Sequence, residues 1–223
     1  MWKDVDGMSE TYRTIAKRGV DEFIISKSRF IGYAAPVTTE EEAQEFIQEI
    51  KSRHRDATHN VSAYVLGRDS NIQRFNDDGE PSGTAGIPAL EVLKKEELRN
   101  TAVVVTRYFG GIKLGGGGLI RAYTKGAKIA LEASVIVTME KFKLLRMVIN
   151  YTAYGKIENY FVENGYTPEK IDYLQAINID MYVNNGLYGG FLEDMLHMTS
   201  GDIEYNIVEE KYLPVKDGVR WRE

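Results

Sequence analysis

Val103-Val104-Val105-Thr106-Arg107-Tyr108-Phe109-Gly110-Gly111-Ile112-Lys113-Leu114-Gly115-Gly116-Gly117-Gly118-Leu119-Ile120-Arg121 is the stretch on which the reading of the fold turns. A β-branched apolar run opens it, and six glycines fill its middle. An amphipathic segment with Leu119, Ile120, Tyr123, Ala127, Ala130 and Leu131 at core spacing closes it. The order is strand, glycine loop, helix. Each ordered glycine gives up about 0.5–1 kcal/mol relative to alanine, so a run of them points to positive φ or to a close approach of the backbone to something else. Amides at a helix start lack internal partners and sit at the positive end of the helix dipole, which makes an anion site. The segment therefore predicts a phosphate- or RNA-binding turn made of Arg107, Gly110, Gly111, Lys113, Gly115, Gly116, Gly117, Gly118 and Arg121. A tight packing turn flanked by solvated lysines stays open as the other reading. Two familiar cradles are excluded. No Lys-Ser or Lys-Thr follows the last glycine, as a Walker A loop requires, and Ile120 or Arg121 stands where the dinucleotide fingerprint needs its third small residue.

Working outward, the chain of 223 residues is 43% hydrophobic, enough for one large core or two small ones. A formal net charge of −5 argues against coating nucleic acid by bulk electrostatics, so phosphate binding needs a local basic patch. With no cysteine there is no thiol nucleophile and no cysteine-ligated metal, and His54, His59 and His197 are too scattered for a spaced metal motif. The first residues lack the apolar core of a signal peptide and no apolar run is long enough to span a bilayer, so a cytoplasmic location is expected.

Residues 9–18 read as a short polar lead-in helix, followed by β-rich runs at Glu22–Ile25 and Arg29–Val37. Thr38 and Thr39 are N-cap candidates for a helix through Ala43, Phe46, Ile47 and Ile50 to about Arg53. Strands are expected at Asn60–Gly67 and Asn71–Phe75, and a helix follows with Pro88 in its first turn and Asn100 at its end. Strand Ala102–Thr106, helix 119–133 and strand Val135–Thr138 complete a first unit, an α+β sandwich with its helices on one face of the sheet. Composition shifts near Glu140-Lys141, giving domains 1–139 and 140–223. The second reads as strand Leu145–Tyr151, a helix stopped at Asn164-Gly165, strands Thr167–Tyr173 and Ala176–Val183, a helix stopped at Ser200-Gly201, and strand Ile203–Leu213. That series is βαββαβ, the ferredoxin-like order. Its tyrosines (Tyr151, Tyr154, Tyr160, Tyr173, Tyr182, Tyr188) fall mostly at core spacing, and the tail from Lys216 reads as mobile.

Beside the glycine turn, two polar clusters stand at element ends, where loops carry function on a rigid frame. One is His54-Arg55-Asp56-Ala57-Thr58-His59-Asn60, the other Asp77-Asp78-Gly79-Glu80-Pro81-Ser82-Gly83-Thr84. His59, Asn60, Asp77, Asp78, Glu80, Ser82 and Thr84 are the candidate residues there. Carboxylates beside a phosphate cradle suggest magnesium at Asp77 and Asp78. The alternative is an ordinary turn with Ser82 or Thr84 capping a helix. The spacing places no carboxylate to orient His54 or His59.

Ala57-Thr58-His59-Asn60, Asp77 through Gly86, Val105 through Gly115 and the opening Lys27-Ser28-Arg29-Phe30 resemble the IMPACT (YigZ-type) family over nearly the whole chain. Val61 departs from it, since many members carry cysteine there. The resemblance implies a first domain like the second domain of small-subunit ribosomal protein five, a fold shared with domain four of elongation factor G and with galactokinase-type kinases. It implies a ferredoxin-like second domain similar to domain five of that factor, and eukaryotic relatives that regulate translation. The function expected is a translation-associated regulatory protein binding RNA or a ribosomal surface through the basic glycine turn, without catalysis and without a cofactor. A magnesium-dependent enzyme acting on a phosphorylated small molecule or nucleotide is the alternative, and a protein-interaction module using the exposed loops is a third reading. The sequence leaves the partner and the oligomeric state open.

Overall fold

The structure is a computed structural model and describes residues 11–222. Among the described residues, two antiparallel sheets and five helices make up a mixed α+β architecture. Residues 11–139 with 214–222 form one compact unit, and 140–213 form a second. Among the described residues no helix is long and apolar enough to cross a membrane.

In the first unit, strands β2 (Gly19–Ile25), β3 (Ser28–Pro36), β4 (His59–Leu66), β5 (Ile72–Asn76) and β6 (Thr101–Tyr108) lie in the order β2-β3-β6-β4-β5. Helix α1 (Glu40–Arg53) starts at Thr39, whose hydroxyl accepts from the Glu42 amide. It buries Ala43, Phe46, Ile47 and Ile50 against Ile31, Tyr33, Tyr64 and Val104. Helices α2 (Gly86–Lys95) and α3 (Gly115–Ala133) pack on the opposite face, over Phe30, Val61, Ala63, Val103 and Val105. Helices therefore cover both faces of the sheet, not one as expected. This accounts for Val103-Val104-Val105: a strand buried on both faces reads as an unbroken apolar run rather than an alternation. Helix α3 comes unusually close to the sheet. A Cβ on Gly32 would stand 2.0 Å from the Gly126 carbonyl oxygen, and one on Gly126 would stand 2.6 Å from Val105 Cγ1.

Several expectations need correction. Residues 12–15 of the expected lead-in helix are strand β1 (Tyr12–Ile15), while residues 9 and 10 lie outside the described residues. Its partner is the start of β7 (Ile136–Ile149), Tyr12 opposite Met139 and Ile15 opposite Ile136. A strand paired so far along the chain leaves no local signal, and Ile15 is buried by it. Helix α2 stops at Lys95, short of Asn100, which instead adopts φ +52° and accepts the Val37 amide at 3.0 Å. Helix α3 starts at Gly115, four residues early, because the packing of Leu119, Ala122 and Tyr123 outweighs the poor helix propensity of its glycines. Tail residues Val219–Arg220 form β11, antiparallel to the end of β10 (Ile203–Lys216), with Val215 opposite Arg220.

In the second unit the order is β7, α4 (Tyr151–Glu163), β8 (Lys170–Tyr173), β9 (Ile177–Asn184), α5 (Tyr188–Met198), β10, and the sheet runs β10-β7-β9-β8. The two expected strands around residue 140 are one strand, and Tyr151 begins a helix capped by Asn150, whose side chain accepts from the Ala153 amide. Helices cover one face only. Leu145, Met147 and Ile149 of β7 and Ile177, Ile179, Met181 and Val183 of β9 point to the core, and their alternating neighbours do not. The tyrosines are not core. Tyr154, Tyr160 and Tyr188 are half-buried at its edge, Tyr151 and Tyr173 are exposed, and several hydroxyls bond outward, Tyr160 to Asp194 at 2.7 Å.

Candidate functional site

The sheet of the first unit brings the three polar stretches to one end. His59 of β4 is opposite Arg107 of β6, and Arg29 of β3 is opposite Tyr108. The loop after β5 and the turn before α3 leave from that same end. Hydrogen bonds join the loops. The Thr58 amide donates to the Arg107 carbonyl at 2.9 Å, the Phe109 amide to Thr58 Oγ1 at 3.0 Å, and the Gly110 amide to Ser28 Oγ at 3.1 Å.

Glu80 is the centre. Its side chain is 4% exposed and Oε1 accepts from Arg107 Nη1 at 2.5 Å and from the Tyr123 hydroxyl at 2.7 Å. The Arg107 guanidinium lies 5.4 Å from the rings of both buried Phe30 and exposed Phe109, and its Nε, also buried, finds no acceptor among the described residues. Burial, reinforced by the bond to Glu80, holds the Tyr123 hydroxyl far above its ordinary value, so it stays a donor. His59 Nδ1 is 2.8 Å from the Asp78 carbonyl oxygen, which can only accept, so the proton sits on Nδ1. Its Nε2 then faces Glu80 Oε1 at 3.8 Å.

The neighbouring acids serve the backbone. Asp77 accepts the amides of Gly83 at 2.8 Å, Ala85 at 3.2 Å and Gly86 at 2.7 Å, and so satisfies the start of α2. Neither Ser82 nor Thr84 caps that helix; the Thr84 hydroxyl turns back to the Pro81 carbonyl at 2.6 Å. Asp78, at φ +48°, accepts Lys51 Nζ at 2.7 Å and the Asn60 amide at 2.6 Å. The Asn60 side chain accepts from Thr106 Oγ1 at 2.8 Å. Both carboxylates proposed for magnesium are thus occupied by N–H donors. Among the described residues no group of three or more metal-type side chains comes together.

On the opposite face His54 joins Tyr33 (2.6 Å, at Nε2) to Tyr108 (2.8 Å, at Nδ1), and the Tyr108 hydroxyl donates to Asp56 at 3.3 Å. Only one direction satisfies every group: Tyr33 donates to His54, His54 to Tyr108, Tyr108 to Asp56. Burial, aided by Arg53 and Arg29, lowers the His54 pKa.

The glycine turn divides by what surrounds each residue. Gly110 is structural, since a Cβ there would meet the Lys27 carbonyl carbon at 2.0 Å, and Gly118 is closed by Leu114 at 2.9 Å. Gly111 (φ +85°) and Gly115 (φ +70°) need positive φ, with open space beside them. Gly116 and Gly117 have neither reason: nothing lies closer than 3.7 Å to an added Cβ, and alanine would favour the helix by about 1 kcal/mol. The amides of Gly115, Gly116 and Gly117 find no acceptor among the described residues, and no side chain caps this helix. Exposed Lys113 and Arg121 flank the turn without an ion-pair partner among the described residues, whereas Arg107, grouped with them from sequence, is buried against Glu80. Thr84 Cγ2 is 3.9 Å from a Cβ built on Gly116, so the acidic loop abuts the turn. Sequence reasoning missed Tyr123, which was read only as a residue at core spacing, and Lys51, which it did not single out; neither has a local signal of its role.

These features define a two-unit α+β protein with three cross-bonded polar loops at one end of a double-faced sheet. The Impact N-terminal domain matches residues 26–131. The chain is 47% identical over 206 residues to the IMPACT family member YvyE of Bacillus subtilis, covering 92% of this chain and 95% of that one. It is 44% identical over 110 residues to the IMPACT family member YigZ of Escherichia coli, covering 48% and 54%. A crystal structure of a hypothetical protein, 28% identical, superposes with a TM-score of 0.57 over 91% of this chain and 99% of that one. The chain belongs to the IMPACT family.

Proposed function

We propose that this protein is a translation-associated regulatory protein, cytoplasmic and non-catalytic, that holds an RNA or ribosomal phosphate at the start of α3. The observation carrying this reading is the uncovered first turn: three glycine amides without acceptors among the described residues, two of them (Gly116 and Gly117) on positions where nothing prevents a side chain, between two exposed cations. Amides at a helix start with nearby Lys and Arg form a phosphate site. The element order and the sheet order β10-β7-β9-β8 support a ferredoxin-like second domain, and membership of the family supports the translational setting. Magnesium-dependent chemistry is the weaker reading, because Asp77 and Asp78 already accept N–H donors.

The test is filter binding to ribosomal subunits and to a structured RNA across a salt series. Affinity is expected to fall steeply with salt, and Lys113→Ala or Arg121→Ala should each reduce the salt slope by about 1. Gly116→Asp should abolish binding while stabilising α3, since a carboxylate at a helix start favours the helix and repels phosphate. Salt-insensitive association, or none, overturns the reading.

A further inference from the structure

Beside the glycine turn, α2 and α3 enclose a groove of about 380 Å³. Two stripes line it at helical spacing, Ile87-Glu91-Lys95 on α2 and Ile120-Thr124-Lys128 on α3, with Pro88 and Val92 between them. Each stripe starts with an isoleucine and ends, two turns on, with a lysine. Ile87 and Ile120 are 41% and 44% exposed. An exposed β-branched residue gains no burial and forms helix less well than Glu, Lys or Ala. The charges of the groove are unevenly compensated. Glu91 is paired with Lys94 at 2.6 Å and Glu96 with Arg13 at 3.8 Å, whereas Lys95 and Lys128 have no ion-pair partner among the described residues. The groove is therefore apolar at the end nearest the glycine turn and cationic at the other.

We infer that this groove docks an amphipathic helical segment of a partner protein, one that places apolar side chains between Ile87 and Ile120 and acidic side chains about 12 Å away, two helical turns on, against Lys95 and Lys128. Charge complementarity selects the occupant. A basic helix with the same apolar face would bring its cations onto two uncompensated lysines, and an acidic segment without apolar anchors would leave both isoleucines wet. The surface is separate from the phosphate turn, so it neither needs nor disturbs Lys113 and Gly116.

Fluorescence anisotropy with three labelled synthetic helices of about 14 residues, four turns, tests it on the full chain. One carries apolar anchors followed by glutamates, the second has lysines in place of the glutamates, and the third keeps the glutamates but has alanines for anchors. Only the first is expected to bind. Ile87→Asp with Ile120→Asp should weaken it at least about tenfold, as should Lys95→Glu with Lys128→Glu, because both remove central anchors of the interface. The lysine-reversed variant should now bind the second peptide, a gain that a misfolded variant cannot give. Ile87→Ala with Ile120→Ala, which removes the anchors without adding charge beside the phosphate turn, should weaken the first peptide likewise and leave RNA binding unchanged, which separates failure here from failure of the phosphate turn. No binding of the first peptide, equal binding of the first two, or no response to any of the double variants overturns the inference. A concentration-dependent dimer in sedimentation that Ile120→Asp abolishes would assign the groove to a second copy of the chain instead.

Discussion

The two sheets of this protein solve the same problem in opposite ways. In the first unit, helices lie on both faces, nearly every residue of β3, β4 and β6 is buried, and the ion pair Arg107–Glu80 is sealed from solvent. In the second, one face is covered, residues alternate inside and out, and Arg146–Asp180 lies on the open side with the arginine half-exposed. The difference teaches where polar groups acquire consequence. A charge in a two-faced sheet has no water to fall back on, so its partners must be built, and the end of the strands becomes a network. A charge on an open face is solvated whether or not its partner is present.

The strongest way to break this contrast is to remove one partner from each pair. Glu80→Ala leaves the Arg107 guanidinium buried without a counter-ion and should cost about 3–5 kcal/mol by urea denaturation. Asp180→Ala, which leaves a half-exposed arginine free to take up water, should cost no more than about 1 kcal/mol in the same experiment. Equal effects would mean that the burial of Glu80 does not matter. Next in size is the same substitution in each sheet. Val104→Ser, beneath α1, loses burial and strands a hydroxyl, for about 2–3 kcal/mol. Val148→Ser on β7, whose side chain is outside the core of the second unit, should cost less than half of that.

Acid sharpens the comparison within the first sheet. His54 has a folded pKa below its ordinary 6.5, so as pH falls the unfolded chain takes up the proton before the folded one does. Stability tied to His54 is therefore present above about pH 6.5 and is lost on acidification through the window below it. The melting temperature should drop between pH 7 and 5 more steeply in the native sequence than in His54→Gln. Smallest of all, Gly116→Ala should raise stability by up to about 1 kcal/mol, since neither strain nor a neighbour holds that glycine in place.

Much of this fold was legible in order along the chain. Thr39 capped its helix as expected, Gly165 took positive φ at the end of α4, and the strand expected at Ala176–Val183 is β9, Ile177–Asn184. What escaped depended on distant partners. Val103-Val104-Val105 announced a buried strand but could not say that a second layer of helices buried it. Tyr12–Ile15 looked helical because β7, which pairs with it, lies more than a hundred residues on. At the site the three loops were visible as polar stretches, yet their wiring was not. Asp77 rather than Ser82 or Thr84 serves α2, and Arg107 faces inward to Glu80 rather than outward to phosphate, because a tertiary partner sets where a long side chain points. The glycines divided into packing and open positions only when their neighbours were known.

The first compact unit is assembled from two separated stretches, 11–139 and 214–222, with the whole second unit inserted between them. During synthesis, then, the nascent polypeptide must emerge past residue 213 before the hairpin of β10 and β11 can close. The sheet β2-β3-β6-β4-β5 and helices α1, α2 and α3 are all synthesised by residue 133, in the usual N-terminal-first order, and only the β10–β11 hairpin reaches the first unit after the inserted one has been made.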